Sequence, residues 1–372
     1  MSTIVRPHCR ARFLAAALAA GWMTSAAAQA PTELVPSLVP SPAQPTKPAA
    51  KPAAKPVPKP AAGKAVPTQA IRPAASADAA PAAPGRRDVD MAYGAYQRGY
   101  YLTAFALATR RVDEHKDVKA MTLLGELYAN GLGIERDDKK AAEWYRLAAD
   151  RGDREAMLAL ALFNLGGRVG SVNREEGAKL LAAAAKLGQP AATYDLALLY
   201  LEGQLFPQDF TRAAELFRAA AQAGNPEAQY ALATLYKEGR GVPKDLAEAA
   251  RLLAASALAD NTDAQVEYAI ALFNGTGVER NEPVAAGFLR KAARKGSAIA
   301  QNRLANVLAV GRGVPADPVA AIKWHLVAKA GGVGDIPLDT FMQKQPPEIR
   351  AAGEKAAKPW LDAIKEAREQ RS

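Results

Sequence analysis

The chain has 372 residues, of which 48 are Lys or Arg, 38 are Asp or Glu, three are His and one is Cys. Cys9 alone excludes an intramolecular disulfide, a Cys-based zinc site and an iron–sulfur cluster. The formal net charge of +10 divides unevenly: residues 1–30 carry +3, residues 31–87 carry +6, and residues 88–372 hold 37 basic and 36 acidic groups. A duplex-binding domain concentrates Lys and Arg on one face. Here they alternate with acids, as on a solvated helical surface, which argues against a nucleic-acid partner. Aromatic residues make up only 6% of the chain, so alanine supplies much of its apolar bulk. That composition suits close-packed helices rather than a sheet.

Arg6, Arg10 and Arg12 precede an apolar run from Phe13 to about Met23 and the small residues Ala26, Ala27 and Ala28. This is the layout of a cleaved export signal over residues 1–28. It implies a periplasmic or secreted mature chain that has discarded Cys9. An uncleaved membrane anchor is the competing reading, although the run is short for ~30 Å of hydrocarbon. No later segment is long and apolar enough to cross a membrane. Residues 29–87 read as a disordered Pro/Ala/Lys-rich linker, with 14 prolines in the 54 positions from Pro31 to Pro84. Its spaced lysines read either as solvated or as a weak contact with anionic lipid or cell wall.

From Val118 onward the sequence repeats every 36 residues without a slip in phase. Ala120, Ala156, Ala192, Ala228, Ala264 and Ala300 share one position, and Gly131, Gly167, Gly203, Gly239, Gly275 and Gly311 share another. Each unit reads as two helices. The first opens at a polar cap (Asp153, Gln189, Asn225, Asn261 or Ser297) and stops at the recurring Gly, which tolerates the left-handed conformation of a helix end. The second opens at Asp137, Asn173, Asp209, Asp245, Asn281 or Asp317. Six such residues at one spacing invite a reading as catalysts or metal ligands, and helix capping accounts for them more simply. A Gly closes each unit except the fourth, where Asp260 stands.

The run Leu124-Gly125-Glu126-Leu127-Tyr128-Ala129-Asn130-Gly131-Leu132-Gly133, followed by Lys140-Ala141-Ala142-Glu143-Trp144-Tyr145, resembles the Sel1-like repeat, a branch of the tetratricopeptide superfamily. Ala228-Gln229-Tyr230-Ala231-Leu232-Ala233, running on to Gly239-Arg240-Gly241-Val242-Pro243, is similar to it as well. The second unit departs most, with Val169 and Gly170 in its loop. The resemblance implies an all-α, right-handed α/α solenoid of six helix-turn-helix repeats over residues 118–333. It also implies service as a scaffold or adaptor in envelope assembly, signalling or host interaction. Residues 88–117, with Tyr93, Tyr96, Tyr100 and Tyr101, read as a tetratricopeptide-like capping hairpin whose tyrosines at helical spacing form core, a binding site being the alternative. Residues 334–372 read as the C-terminal cap, with a helix from Pro347 to Ala357 that Pro359 breaks before Trp360.

Nothing in the sequence assigns a catalytic residue, a cofactor or a metal ligand. His115 and His325 stand 210 positions apart, and His325 occupies the core slot of the last repeat beside Trp324. A cell-envelope hydrolase or a wall-binding structural protein remain the alternatives to a scaffold. In stacked two-helix repeats the first helices line the concave side. Positions five, nine and twelve of each unit are expected to face it: Leu158, Leu162 and Leu165; Tyr194, Leu198 and Leu201; Tyr230, Thr234 and Lys237; Val266, Ile270 and Phe273. Position five (Leu158, Tyr194, Tyr230 and Val266) is open to a second reading as core between repeats, favoured for the two tyrosines, and Leu162, Leu201 and Phe273 are open to either reading. Such a groove, polar at its ends through Thr122, Glu126, Asn302 and Asn306, suits a protein or peptide partner.

Overall fold

The computed structural model of the chain describes residues 86–370, with side chains from Met91 onward. The expected leader and most of the proline-rich segment lie outside the described residues. Helices α1 (Arg86–Gln97) and α2 (Tyr101–His115) lead into six pairs. These are α3 (Val118–Asn130) with α4 (Asp138–Ala149), α5 (Arg154–Gly166) with α6 (Arg174–Lys186), and α7 (Pro190–Glu202) with α8 (Phe210–Gln222). They continue as α9 (Pro226–Glu238) with α10 (Leu246–Leu258), α11 (Thr262–Asn274) with α12 (Glu282–Arg294), and α13 (Ala298–Val310) with α14 (Pro318–Ala330). Helices α15 (Ile336–Gln343) and α16 (Pro347–Glu369) follow, and no strand occurs among the described residues.

The caps fall where the period places them. Asp117, Asp153, Gln189, Asn225, Asn261 and Ser297 each accept a hydrogen bond from a backbone N–H in the first turn of α3, α5, α7, α9, α11 and α13. The second helices start the same way at Asp137, Asn173, Asp209, Asp245, Asn281 and Asp317. Each cap satisfies a donor that the helix leaves without a partner. The alanines of the period are fully buried, as are Ala161, Ala197, Ala233, Ala269 and Ala305. Gly125 stands at that second position in the first repeat, and a Cβ there would meet the Tyr145 ring at 2.6 Å.

Successive repeats meet through the loop inside each pair. A Cβ at Gly277 would lie 1.9 Å from the Leu246 carbonyl oxygen, and one at Gly241 would lie 2.2 Å from that of Phe210. The loops of the fourth and fifth repeats therefore rest on the opening turn of the preceding second helix, as does that of the sixth, where a Cβ at Gly313 would meet Glu282. A Cβ at Gly133 would likewise lie 2.8 Å from that of Tyr101, so α2 takes the place that a second helix holds elsewhere. Arginines reinforce this seam. Arg168 bridges back to Asp138 and donates to the Ala129 carbonyl, while Arg312 does likewise with Glu282 and Phe273. In the second repeat the loop departs, with Val169 exposed and Gly170 at φ +138°.

Asp260 adopts φ +77° at the position other units give to Gly. Its carboxylate lies 2.5 Å from Lys291 Nζ and 3.0 Å from Lys295 Nζ, and these hydrogen bonds hold its pKa down to about 2. Asp260→Gly is expected to change stability little at pH 7. Relief of left-handed strain, about 1 kcal/mol, offsets loss of exposed ion pairs contributing ~0–1 kcal/mol. A depressed carboxyl stabilises the native state above the ordinary carboxylate range and stops doing so as pH falls through about 2. The difference between variant and parent should therefore shift toward the glycine form between pH 4 and pH 2 (about two units). Thermal unfolding across that range measures it, and a pH-independent difference would contradict the assignment.

Two expectations about the ends are corrected. Helix α16 runs unbroken through Pro359 to Glu369. Trp360, Leu361 and Ile364 beyond the proline pack on the last core cluster, and Trp360 meets Trp324 edge-on at 5.0 Å. That packing outweighs the backbone bond a proline removes, and Pro359 itself is exposed. At the other end Tyr96 and Tyr101 are half-buried, but Tyr93 and Tyr100 are 53% and 61% exposed, since among the described residues no repeat precedes and covers them.

Candidate functional site: the first-helix face

The groove residues divide by burial. Leu162, Leu165, Leu201, Thr234 and Ile270 are half-buried and Lys237 is exposed. Leu158, Leu198, Val266 and Phe273 are buried, which corrects their expected place on an open face. Small residues inside the repeat bring helices so close that these side chains meet the neighbouring units. Leu158 clusters with Ala192, Leu196 and Leu199 of α7, and the Arg312 guanidinium lies 4.8 Å from the Phe273 ring centre. Positions two and thirteen take up the exposure instead, with Lys119, Glu155, Asp263 and Ile299 at the one and Asn130, Glu238, Asn274 and Val310 at the other. A sequence rule of five, nine and twelve misses them, since thirteen follows twelve by one residue and two precedes five by almost a full turn.

Two hollows open on this face. One, of about 240 Å³, lies between α11 and α13 and is lined by Ile270, Phe273, Asn302, Arg303 and Asn306 among others. The other, of about 360 Å³, lies between the end of α9 and α11 with the first half of α10 as its floor, and includes Lys237, Leu246, Leu253, Glu267 and Ile270. Ile270 borders both. Lys237 Nζ bridges α9 to α11 at 2.6 Å from Glu267. The polar end of the face is engaged from within: the Nδ2 groups of Asn302 and Asn306 each donate to Asp335 Oδ2 at 3.0 Å. Asp335 caps α15, so the C-terminal cap also closes that end of the groove.

Tyr194 and Tyr230 sit half-buried in the middle. Burial raises the pKa of both, assisted by Asp195 and Glu227 at Tyr194 and by Glu267 and Asp263 at Tyr230, which reaches about 12. Both stay neutral phenols. Partial burial and the charge of Glu267 push the Asp263 carboxyl upward.

Charge is segregated between the two helix sets. The six first helices carry eight acids against Lys119, Arg154, Lys237 and Arg303. The six second helices carry fourteen Lys or Arg against seven acids. A near-neutral domain thus presents an acidic first-helix set and a basic second-helix set, contrary to the even mixture expected. Summing charge by helix within the 36-residue period would have found this in the sequence.

His325 is 1% exposed, with Nε2 2.8 Å from Asp339 Oδ1, and serves the packing of α14 against α15. Among the described residues no group of three His, Cys, Asp or Glu is placed to hold a metal, and no helix is long and apolar enough to cross a membrane.

The model of the Sel1 repeat matches residues 118–153, 154–189, 190–225, 226–261, 262–297 and 298–333. Among solved structures, a Sel1 repeat protein from Oxalobacter formigenes is similar at 30% identity and a TM-score of 0.57, over 70% of this chain and 75% of that one. The protective antigen c5321, present in uropathogenic Escherichia coli strains and displaying an SLR fold, is 25% identical over 76% of this chain and 70% of its own, with a TM-score of 0.49. No curated protein sequence matches the chain.

Proposed function

Because the chain belongs to the Sel1 repeat family, as its six consecutive repeats establish, we propose that it is an exported, non-enzymatic scaffold in the cell envelope, holding a protein or peptide along its first-helix face. The observation that carries this reading is the pair of hollows sharing Ile270, with about 240 and 360 Å³ of space on a face otherwise made of packed helices. Apolar floor and polar rim together are what a peptide backbone with alternating side chains requires. The basic, apolar and small-residue succession of residues 1–28 supports export.

Ile270→Glu is expected to abolish capture of the partner while the fold survives, since a half-buried site lets a glutamate carboxylate reach solvent. Crosslinking in intact cells with a C-terminal tag, set beside the melting temperature of the purified variant, tests this. Undiminished capture of the same partner by Ile270→Glu would overturn the groove as the binding surface.

A further inference from the structure

The middle of the first-helix face combines aromatic, apolar and acidic groups in a way that selects among partners. Helices α7, α9 and α11 carry Asp195, Glu202, Glu227, Glu238, Asp263 and Glu267 against Lys237 alone. Glu238 and Glu267 have cationic partners, in Arg240 and Lys237. Glu227 and Asp263 have none among the described residues. Both stand in the first turn of their helices, α9 and α11, where the helix dipole favours a carboxylate without neutralising it. Glu227 acts on Tyr194 and Asp263 on Tyr230, half-buried rings that remain neutral. Asp263 also faces the like charge of Glu267. A cation brought to Asp263 relieves its repulsion from Glu267, and one brought to Glu227 gains a carboxylate that has no other cationic partner among the described residues.

We propose that the first-helix face of repeats three to five docks an extended, lysine- or arginine-bearing segment of a partner protein. The proposal rests on the scaffold reading and adds the chemistry of the partner to it. Charge complementarity selects the occupant. The acidic helices repel an acidic peptide, and a purely apolar helix would leave Glu227 and Asp263 desolvated and unpaired. An extended chain can lay cations beside successive repeats, because in polyproline II every third side chain points the same way, while intervening apolar side chains face the hollow bordered by Leu253 and Ile270.

The test uses the full chain and two fluorescent peptides, five Lys-Ala-Pro triplets and five Glu-Ala-Pro triplets, followed by anisotropy at several salt concentrations. The lysine peptide should bind, weaken as salt rises, and bind about tenfold more weakly to Glu227→Gln/Asp263→Asn. The glutamate peptide should not bind. Binding of the lysine peptide that the double variant leaves unchanged, equal binding of both peptides, or no binding at all would each overturn the proposal. Both substitutions are near-isosteric and lie outside the core, and a melting curve checks the fold. If crosslinked capture in cells is lost in Ile270→Glu but unaltered in the double variant, the scaffold reading stands and the cationic partner falls.

Discussion

Gly277→Ala is expected to lower stability by about 3 kcal/mol, roughly three times the loss from Gly224→Ala. Both glycines have positive φ, +70° and +86°, so an added Cβ brings similar backbone strain of about 1 kcal/mol at each. They differ in surroundings. Nothing lies within 4 Å of a Cβ at Gly224, whereas at Gly277 it would fall 1.9 Å from the Leu246 carbonyl oxygen and 2.4 Å from its carbon. Those atoms are backbone at the opening of α10 and move only if the fourth and fifth repeats separate. The excess loss at Gly277 is thus a measure of the seam between repeats. Denaturant unfolding of the two variants under one condition reads it directly, and equal losses would show that the loop does not bear on the preceding helix.

Leu198→Glu is expected to prevent stable folding at neutral pH, while Leu162→Glu, one repeat earlier at the same position, leaves a folded protein. The two leucines are equivalent in the 36-residue period. Leu198 is only 3% exposed, and Leu162 is half-buried. A carboxylate at position 198 would be buried without a partner, costing several kcal/mol beyond the lost packing, on the order of 4 kcal/mol or more in total. Protonation removes the larger part of that penalty, so the variant should recover structure as pH falls toward 5. Circular dichroism across pH for both variants decides the matter, and similar melting temperatures at pH 7 would place Leu198 on the surface after all.

The sequence by itself determined the repeat, its register and its punctuation. Each cap, stop and small contact is a local requirement: a helix start needs a side-chain acceptor such as Asp245, a stop needs a residue at ease with positive φ such as Gly239, and close helices need Ala233. Because such needs are met within a few residues, they recur visibly with the period. It also located His325 and the caps as structural, since a position in the period already says which side a residue occupies.

The tertiary structure alone decided which residues of the face are open. Leu158 and Leu162 lie one turn apart on the same helix, yet only the first is sealed, because Leu196 and Leu199 arrive from the next repeat. Pro359 reads as a break until Trp360 finds Trp324, 36 residues upstream. Asn302 and Asn306 read as free polar groups until Asp335 reaches both. The division of charge follows the same logic: acids and bases alternate along the chain, but folding sends first and second helices to separate ranks and so turns alternation into polarity. In each case the deciding contact is non-local, and side-chain burial depends on what a neighbouring repeat brings.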